Sequence, residues 1–226
     1  APYLSAPYAS ALLTDHPNDI KKAVRVLPTN GLFSFGNTAF NEKKLFIADT
    51  DFFELFSFPL VKGNPQNVLK NPTSVVLTEK TAKKYFGNDN PIGKVLQLDK
   101  NRQLTVTGIA QDPPINSHLD FDLVIPLTNY INEDSFKAWE NNNLFTYILL
   151  NEHKDPKQLE NQLPQFMDRH MKTVSSTMGL HFDLALTPLH DIYFEPHSAF
   201  DSAKHGDKKV VYIFLSIAIL ILVIAC

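Results

Sequence analysis

The sequence predicts an α+β fold, with mixed sheets and short helices followed by the start of a transmembrane helix. Three observations predict it. Strand-like and helix-like patterns follow one another without regular alternation, which separates this chain from a doubly wound α/β sheet. The 17 Phe and 15 Pro among 226 residues point to many short elements set apart by firm turns, not to a helical bundle. Last, the chain ends in KKVVYIFLSIAILILVIAC, a run that an ordinary soluble domain would not leave exposed.

Taken in order, residues 6–14 predict a short helix, ended by His16 and Pro17 because a residue before Pro is pushed out of the helical region. KAVRVLP reads as a strand, with Ala23, Arg25 and Leu27 alternating against Val24 and Val26. KKLFIADTDFFELF gives a strand over 45–48, a turn over 49–51 and one helical turn carrying Phe52, Phe53 and Phe56, closed by Pro59 and Gly63. NPTSVVLTEKTAKKYFG is a strand-to-helix transition. Thr78 serves as N-cap, Glu79 and Lys83 with Lys84 suit the two ends of the helix dipole, and Gly87 caps the C-terminus. GKVLQLDKNRQLTVTGIAQDPP predicts a hairpin of 95–98 and 104–109, stopped by Pro113 and Pro114. FDLVIP is a buried strand, with a polar helix expected around 136–139. LFTYILL is a strand, and Asp155 with Pro156 opens a helix that Pro164 should kink or split. HFDLALTPL closes the series as a strand, with Phe182, Leu184 and Leu186 on one side.

Composition excludes several function classes. The net charge of −3 and pI near 6.2 provide no electrostatic footprint for nucleic acid. The only cysteine is Cys226, so the body holds neither a disulfide scaffold nor a Cys-based zinc site; a thiol-free body suits an oxidising compartment. From Val210 onward only Tyr212 and Ser216 carry a polar group. The 17 residues from Val210 to Cys226 would reach about 25 Å as a helix, short of the roughly 30 Å hydrocarbon core. The expectation is a truncated transmembrane helix over 210–226.

No stretch reads as an active site. GNDNPIGK differs from a phosphate-binding loop: five residues separate Gly87 from Gly93, Val95 takes the hydroxyl position, and the loop follows a helix. His190, Asp191, Glu195 and His197 lie close in sequence but lack metal-ligand spacing. No serine sits in a G-x-S-x-G elbow. Asp49 and Asp51 flank a turn, where Asp commonly bonds local backbone, and Phe52, Phe53, Phe56 and Phe58 read as core. No catalytic residue, cofactor or metal is therefore expected.

The order of motifs is more specific than any one of them. DTDFFELFSFPLVKGNP, SVVLTEKTAKKYFGNDNPIGK, LTVTGIAQDPP and LTPLHDIYF before an apolar span together resemble the MacB-type periplasmic core domain of FtsX-like ABC transporter permeases, from about Leu12 to Cys226. The residues that carry the resemblance as structural motif are Phe52, Phe53, Gly63, Phe86, Gly87, Pro91, Gly93, Gly108 and Pro113. The resemblance implies an extracytoplasmic domain over 1–209 on the periplasmic side of the bacterial inner membrane. Within it, two subdomains are implied: a porter-like part at about 1–50 and 121–195, and an inserted β-rich part at about 51–120. In that family one membrane helix precedes the domain and three follow it.

Further expectations come from the same resemblance. The permease is non-catalytic and works with a cytoplasmic ATP-binding subunit and a second permease copy as a dimer. A periplasmic adaptor or an outer-membrane channel is a further partner it allows, and nucleic acid is not one. ATP hydrolysis would be coupled to periplasmic movement for export or extraction of an antimicrobial compound, a peptide or a lipoprotein, or else to regulation of a cell-wall hydrolase. Lys208, Lys209 and Val210 form the expected coupling segment, since nothing after Gly206 breaks a helix there. The alternatives are a ligand-sensing ectodomain of a membrane receptor and a membrane-anchored enzyme.

Overall fold

A computed structural model describes residues 3–130, 134, 138–192 and 208–225. Its framework is one eight-stranded mixed sheet in the order β2-β7-β4-β6-β5-β1-β8, with β3 paired to β6 and β2 paired also to β1. The strands are β1 (Ile20–Phe35), β2 (Thr38–Ala48), β3 (Leu60–Lys62), β4 (Ser74–Thr78), β5 (Val95–Leu98), β6 (Arg102–Ala110), β7 (Leu123–Pro126) and β8 (Phe145–Leu150). The helices are α1 (Pro7–Asp15), α2 (Phe52–Leu55), α3 (Glu79–Phe86), α4 (Pro156–Glu160), α5 (Leu163–Met178) and α6 (Lys208–Ala225).

Because β1 pairs with β2 on one edge and with β5 on the other, the path β1-β2-β7-β4-β6-β5 returns to its start. Phe33 marks the closure, facing Phe40 of β2 and Leu98 of β5. The period-two pattern of each strand sends one set of side chains into this ring. Phe33, Leu45, Ile47, Val75, Leu77, Leu96, Leu98, Leu104, Val106, Leu123 and Ile125 form that interior, with Ala82, Tyr85 and Phe86 of α3 packed on the same cluster.

The other half of β1 belongs to a second layer. Residues 20–26 pair antiparallel with β8. One face of that pair is covered by α1, α4 and α5 through Tyr8, Leu12, Ile20, Leu159, Leu163, Phe166, Met167 and Met171. The opposite face carries Val24 and Val26 into a cluster with Phe46, Phe52, Phe53 and Phe121.

Most local expectations are met within a residue or two. Thr78 caps α3, its Oγ1 accepting from the Thr81 amide at 3.3 Å, and Gly87 ends the helix at φ 61°. Asp155 caps α4 through the Lys157 amide, and Pro164 sits in the first turn of α5, so the predicted helix is split into α4 and α5.

Three expectations are corrected. The several sheets expected are one mixed sheet. KAVRVLP is only part of a 16-residue strand. HFDLALTPL is extended but joins no ladder: Phe182, Leu184 and Leu186 are half-buried as the alternation required, yet no strand pairs with them among the described residues. The apolar tail is helical as α6 over 18 residues, and no helix among the described residues is long and apolar enough to cross a membrane. Of the helix expected around 136–139, Phe136 and Lys137 lie outside the described residues and Trp139 is in a turn.

Candidate functional site

All the motif residues but Pro113 occupy three places in the fold. In the first, α2 turns Phe52 and Phe53 onto the outer face of β1 and β2, where both are buried. Phe52 lies parallel to Phe58 at 5.8 Å and edge-on to Phe53 at 5.1 Å and Phe121 at 5.6 Å. Such edge-to-face and offset pairs contribute about 0.5–1.5 kcal/mol each beyond area burial.

Charges rim this aromatic hub. Asp49 accepts from Arg25 Nη2 at 2.8 Å, Nε at 2.9 Å and its backbone amide at 2.8 Å, while Arg25 Nη1 donates to the Ala6 carbonyl at 3.0 Å. Lys22 bridges Asp51 at 3.0 Å and Glu54 at 2.7 Å, and the Glu54 contact leads in holding the Lys22 ammonium above its usual range. The two aspartates thus engage cations across the fold instead of local backbone.

Gly63 and Gly108 form the second place. Thr107 is an extra residue in β6, since Val75 and Val76 face Val106 and Gly108, and its Oγ1 donates to the Val68 carbonyl at 2.6 Å. That bulge draws Val68 against both glycines. A Cβ on Gly63 would stand 2.6 Å from Val68 Cγ1, and one on Gly108 would stand 2.8 Å from the same atom.

Third is the loop from Gly87 to Gly93, with Pro91 inside it and Phe86 just before it. Lys94 bonds Asp89 at 2.8 Å and lies over the rings of Phe86 and Phe35 at 5.1 and 5.5 Å. The lysine that a phosphate loop would aim at its ligand is therefore engaged by a carboxylate and two aromatic faces. Pro113 is half-buried in the irregular segment after β6, and Val210 is exposed near the start of α6. Lys208 and Lys209 open α6. The fold does not bring α6 residues and the glycine motifs into one site.

Two further arrangements were not visible in the sequence. Inside the ring mouth, Glu42 is 4% exposed and accepts from Lys84 Nζ at 2.8 and 3.0 Å and from Tyr85 Oη at 2.6 Å. Burial and then Glu42 push the Tyr85 phenol far above its usual range. Between α1 and α5, Asp15 Oδ2 accepts from Arg169 Nη1 and meets His170 Nε2, both at 2.8 Å. The His170 ring lies nearly parallel to Trp139 at 4.9 Å. The His170 hydrogen bond leads in holding the Asp15 carboxyl below its usual range. These partners lie 42 and 155 residues apart, so spacing could not flag them.

No constellation of nucleophile, base and oxyanion donor emerges from the described residues. Two open depressions of about 420 and 450 Å³ are lined by Pro28, Thr29, Asn30, Asn41 and Lys43, and by Gln165, Asp168, Arg169 and Lys172. Among the described residues no three His, Cys, Asp or Glu side chains gather as a metal site. His190 is exposed and Asp191 half-buried, 3.6 Å apart; Glu195 and His197 lie outside the described residues.

The model of the MacB-like periplasmic core domain matches residues 1–166. The chain belongs to this family. Among solved structures, the MacB-like domain is similar to a domain from Porphyromonas gingivalis described as part of a permease protein. The TM-score is 0.66 and the identity 24%, over 75% of this chain and 79% of that one. It is also similar to the periplasmic region of MacB from Actinobacillus actinomycetemcomitans, at TM-score 0.58 and 19% identity, over 79% of this chain and 84% of that one. No curated protein matches the chain. Family membership fits what the MacB-like domain displays: interlocked aromatic, glycine and ionic contacts that hold a shape, with no converging reactive groups among the described residues.

Proposed function

We propose that this chain is the extracytoplasmic part of an ABC transporter permease of the bacterial inner membrane, working as a rigid lever. A cytoplasmic ATP-binding subunit drives it, and a second permease copy moves against it, so that hydrolysis becomes periplasmic movement for export or extraction of a substrate. The observation that carries this reading is a closed ring of strands in a MacB-like domain whose chain goes on to an exposed apolar helix. Every described side chain of 210–224 is exposed. Burying such a surface stabilises by about 25 cal/mol per Å², which water cannot supply and lipid can. At 18 residues α6 is about 27 Å long. We place it in lipid as the beginning of a membrane-crossing rod. A lever needs a stiff junction, and α6 runs helically through Lys208, Lys209 and Val210 without Gly or Pro. The 1–50, 51–120 and 121–195 division is part of the same proposal, with the inserted part supplying β3 to β6.

The test is a Gly-Pro insertion between Lys209 and Val210 in the full-length permease, reconstituted in liposomes with its ATP-binding subunit. The expected result is retained ATP hydrolysis with transport lost and the domain's circular dichroism unchanged. Transport at the parental rate would defeat coupling through this segment.

A further inference from the structure

We infer that α5 and the extended strap after it, residues 180–188, form a cap that detaches from the sheet as one unit, and that the Asp15–Arg169–His170 cluster is the latch that keeps it shut. The inference stands whether or not the permease reading holds.

The attachment of α5 differs in kind from that of every strand. Strands β1 to β8 are held by backbone ladders. In contrast, α5 meets the body through side chains: Leu163, Phe166, Met167 and Met171 pack with Tyr8, Leu12 and Ile20. Two of its four buried contacts are methionines, whose flexible thioethers tolerate repacking better than branched side chains do. Both ends of the helix are places where the chain can swing. At the N-terminus Gln162 provides no side-chain cap, and at the C-terminus Gly179 is left-handed at φ 63°. The strap returns over α4, placing Phe182, Leu184 and Leu186 on the same cluster, and its Leu186 amide donates to Glu160 Oε1 at 3.2 Å. Lifting α5 with the strap therefore breaks no ladder hydrogen bond.

Closing the cap has a cost beneath it. His16 is 8% exposed, its ring 6.1 Å from Phe166, and its Nε2 has no hydrogen-bond partner among the described residues. Tyr8, 6.1 Å from Phe166, is similarly desolvated, its phenol pushed up to about 12. Opening would return these polar atoms to water, which favours the open state. What opposes opening, besides apolar burial, is Asp15, with a side chain 13% exposed, bonded at once to Arg169 and His170. Charge-assisted bonds of this kind are about twice as strong as neutral ones. Trp139 closes the cluster, lying 4.9 Å from His170 and 4.8 Å from Tyr8.

Native-state hydrogen exchange on the full chain in detergent micelles tests this, and the parental protein alone is sufficient for the first arm. In low urea the amides of 163–178 should exchange through an opening with a smaller urea dependence than those of β1, β2, β4 and β6. If they follow the same isotherm as the strands, the cap is part of the global unit and the inference fails. In the second arm, Asp15→Asn should raise exchange of 163–178 roughly tenfold or more, leaving ring amides within about twofold of the parental rates. Arg169→Gln, which keeps the His170 bond, should give a smaller rise. Unchanged exchange in α5, or an equal rise everywhere, would refute the latch.

Discussion

Gly63 and Gly108 share one neighbour, and that makes their roles separable by experiment. Gly108 lies in β6 with a backbone angle that any residue adopts, and an added Cβ would meet Val68 Cγ1 at 2.8 Å and the Lys62 carbonyl at 3.3 Å. The first contact is overpacking against a side chain, worth about 1–3 kcal/mol. Gly63 has φ +101°, and its Cβ would meet Val68 Cγ1 at 2.6 Å, the Thr107 carbonyl at 3.0 Å and Gly108 Cα at 3.1 Å. Two of those three are backbone, and the φ itself costs an L-residue about 1–3 kcal/mol, so Gly63→Ala should cost about 3–5 kcal/mol in all. Val68 is 2% exposed, and Val68→Ala alone should cost about 2 kcal/mol through lost burial and a small cavity. In Gly108→Ala/Val68→Ala the new methyl fills the space left by Val68 Cγ1, so the double variant should be no less stable than Val68→Ala by more than about 0.5 kcal/mol. Gly63→Ala/Val68→Ala should remain near the sum of its parts. Urea unfolding followed by far-ultraviolet circular dichroism, with the fluorescence of the single tryptophan as second probe, measures all five variants. Equal rescue of both glycine substitutions by Val68→Ala would show that steric contact alone matters and that the positive φ carries no strain.

Lys84→Met should destabilise by about 3 kcal/mol, because it leaves the Glu42 carboxylate buried with only Tyr85 as donor, whereas Glu42→Met with Lys84→Met should recover most of that; thermal unfolding of both variants decides it. Burial holds the Asp122 carboxyl above its usual range, with Glu42 and Asp120 adding to the shift against Lys44. The native state therefore binds the proton more tightly than the unfolded chain, and a destabilising contribution appears as pH rises from the unfolded value near 3.9 through the folded one. Asp122→Asn should raise the urea midpoint at pH 7 and have no effect at the acid end, and the reverse order would contradict it. Asp15 has the opposite sign: its lowered carboxyl stabilises above the unfolded value, and that contribution is lost as pH falls through the folded one. Asp15→Asn should flatten the acid limb of the stability curve, measured in the same titration.

What was legible in the sequence was local. Thr78, Gly87, Asp155 and Pro164 act within a few residues of themselves, and each does what its chemistry dictates. The expected strand stops at Pro28, and Pro28 and Gly31 are residue types that weaken a strand pattern, so the length of β1 was hidden. Pro28 is tolerated because its missing N–H falls where β1 is paired on one edge only: β8 ends at Val26 and β5 begins at Phe33. Gly31 leaves room where the ring closes, since a Cβ there would stand 2.7 Å from Leu98 Cδ1 and push that side chain aside. Beside it β2 carries an extra residue, Thr29 and Gly31 facing Leu45 and Glu42, and this bulge turns Glu42 inward. Alternation alone would place Glu42 outside, so its partnership with Lys84 and Tyr85 could not be read. For 181–188 the alternation reported burial correctly, but burial on one face is satisfied by packing on a helix as well as by a ladder.

The position of β1 also decides where movement can enter the molecule. Residues 20–26 hold β8 and residues 26–35 hold β2, with β5 joined at Phe33 and Ser34. Ring and second layer are thus one hydrogen-bonded object, and bending them apart would require breaking ladder bonds in the middle of a strand. At Val26 both edges are paired at once, with Ala48 on one side and Phe145 on the other, so no hinge is available there. Among the described residues, α5 and its strap are free of that constraint. On the proposed lever reading, a cap held by side chains alone would yield at Asp15 before any ladder of the ring was broken.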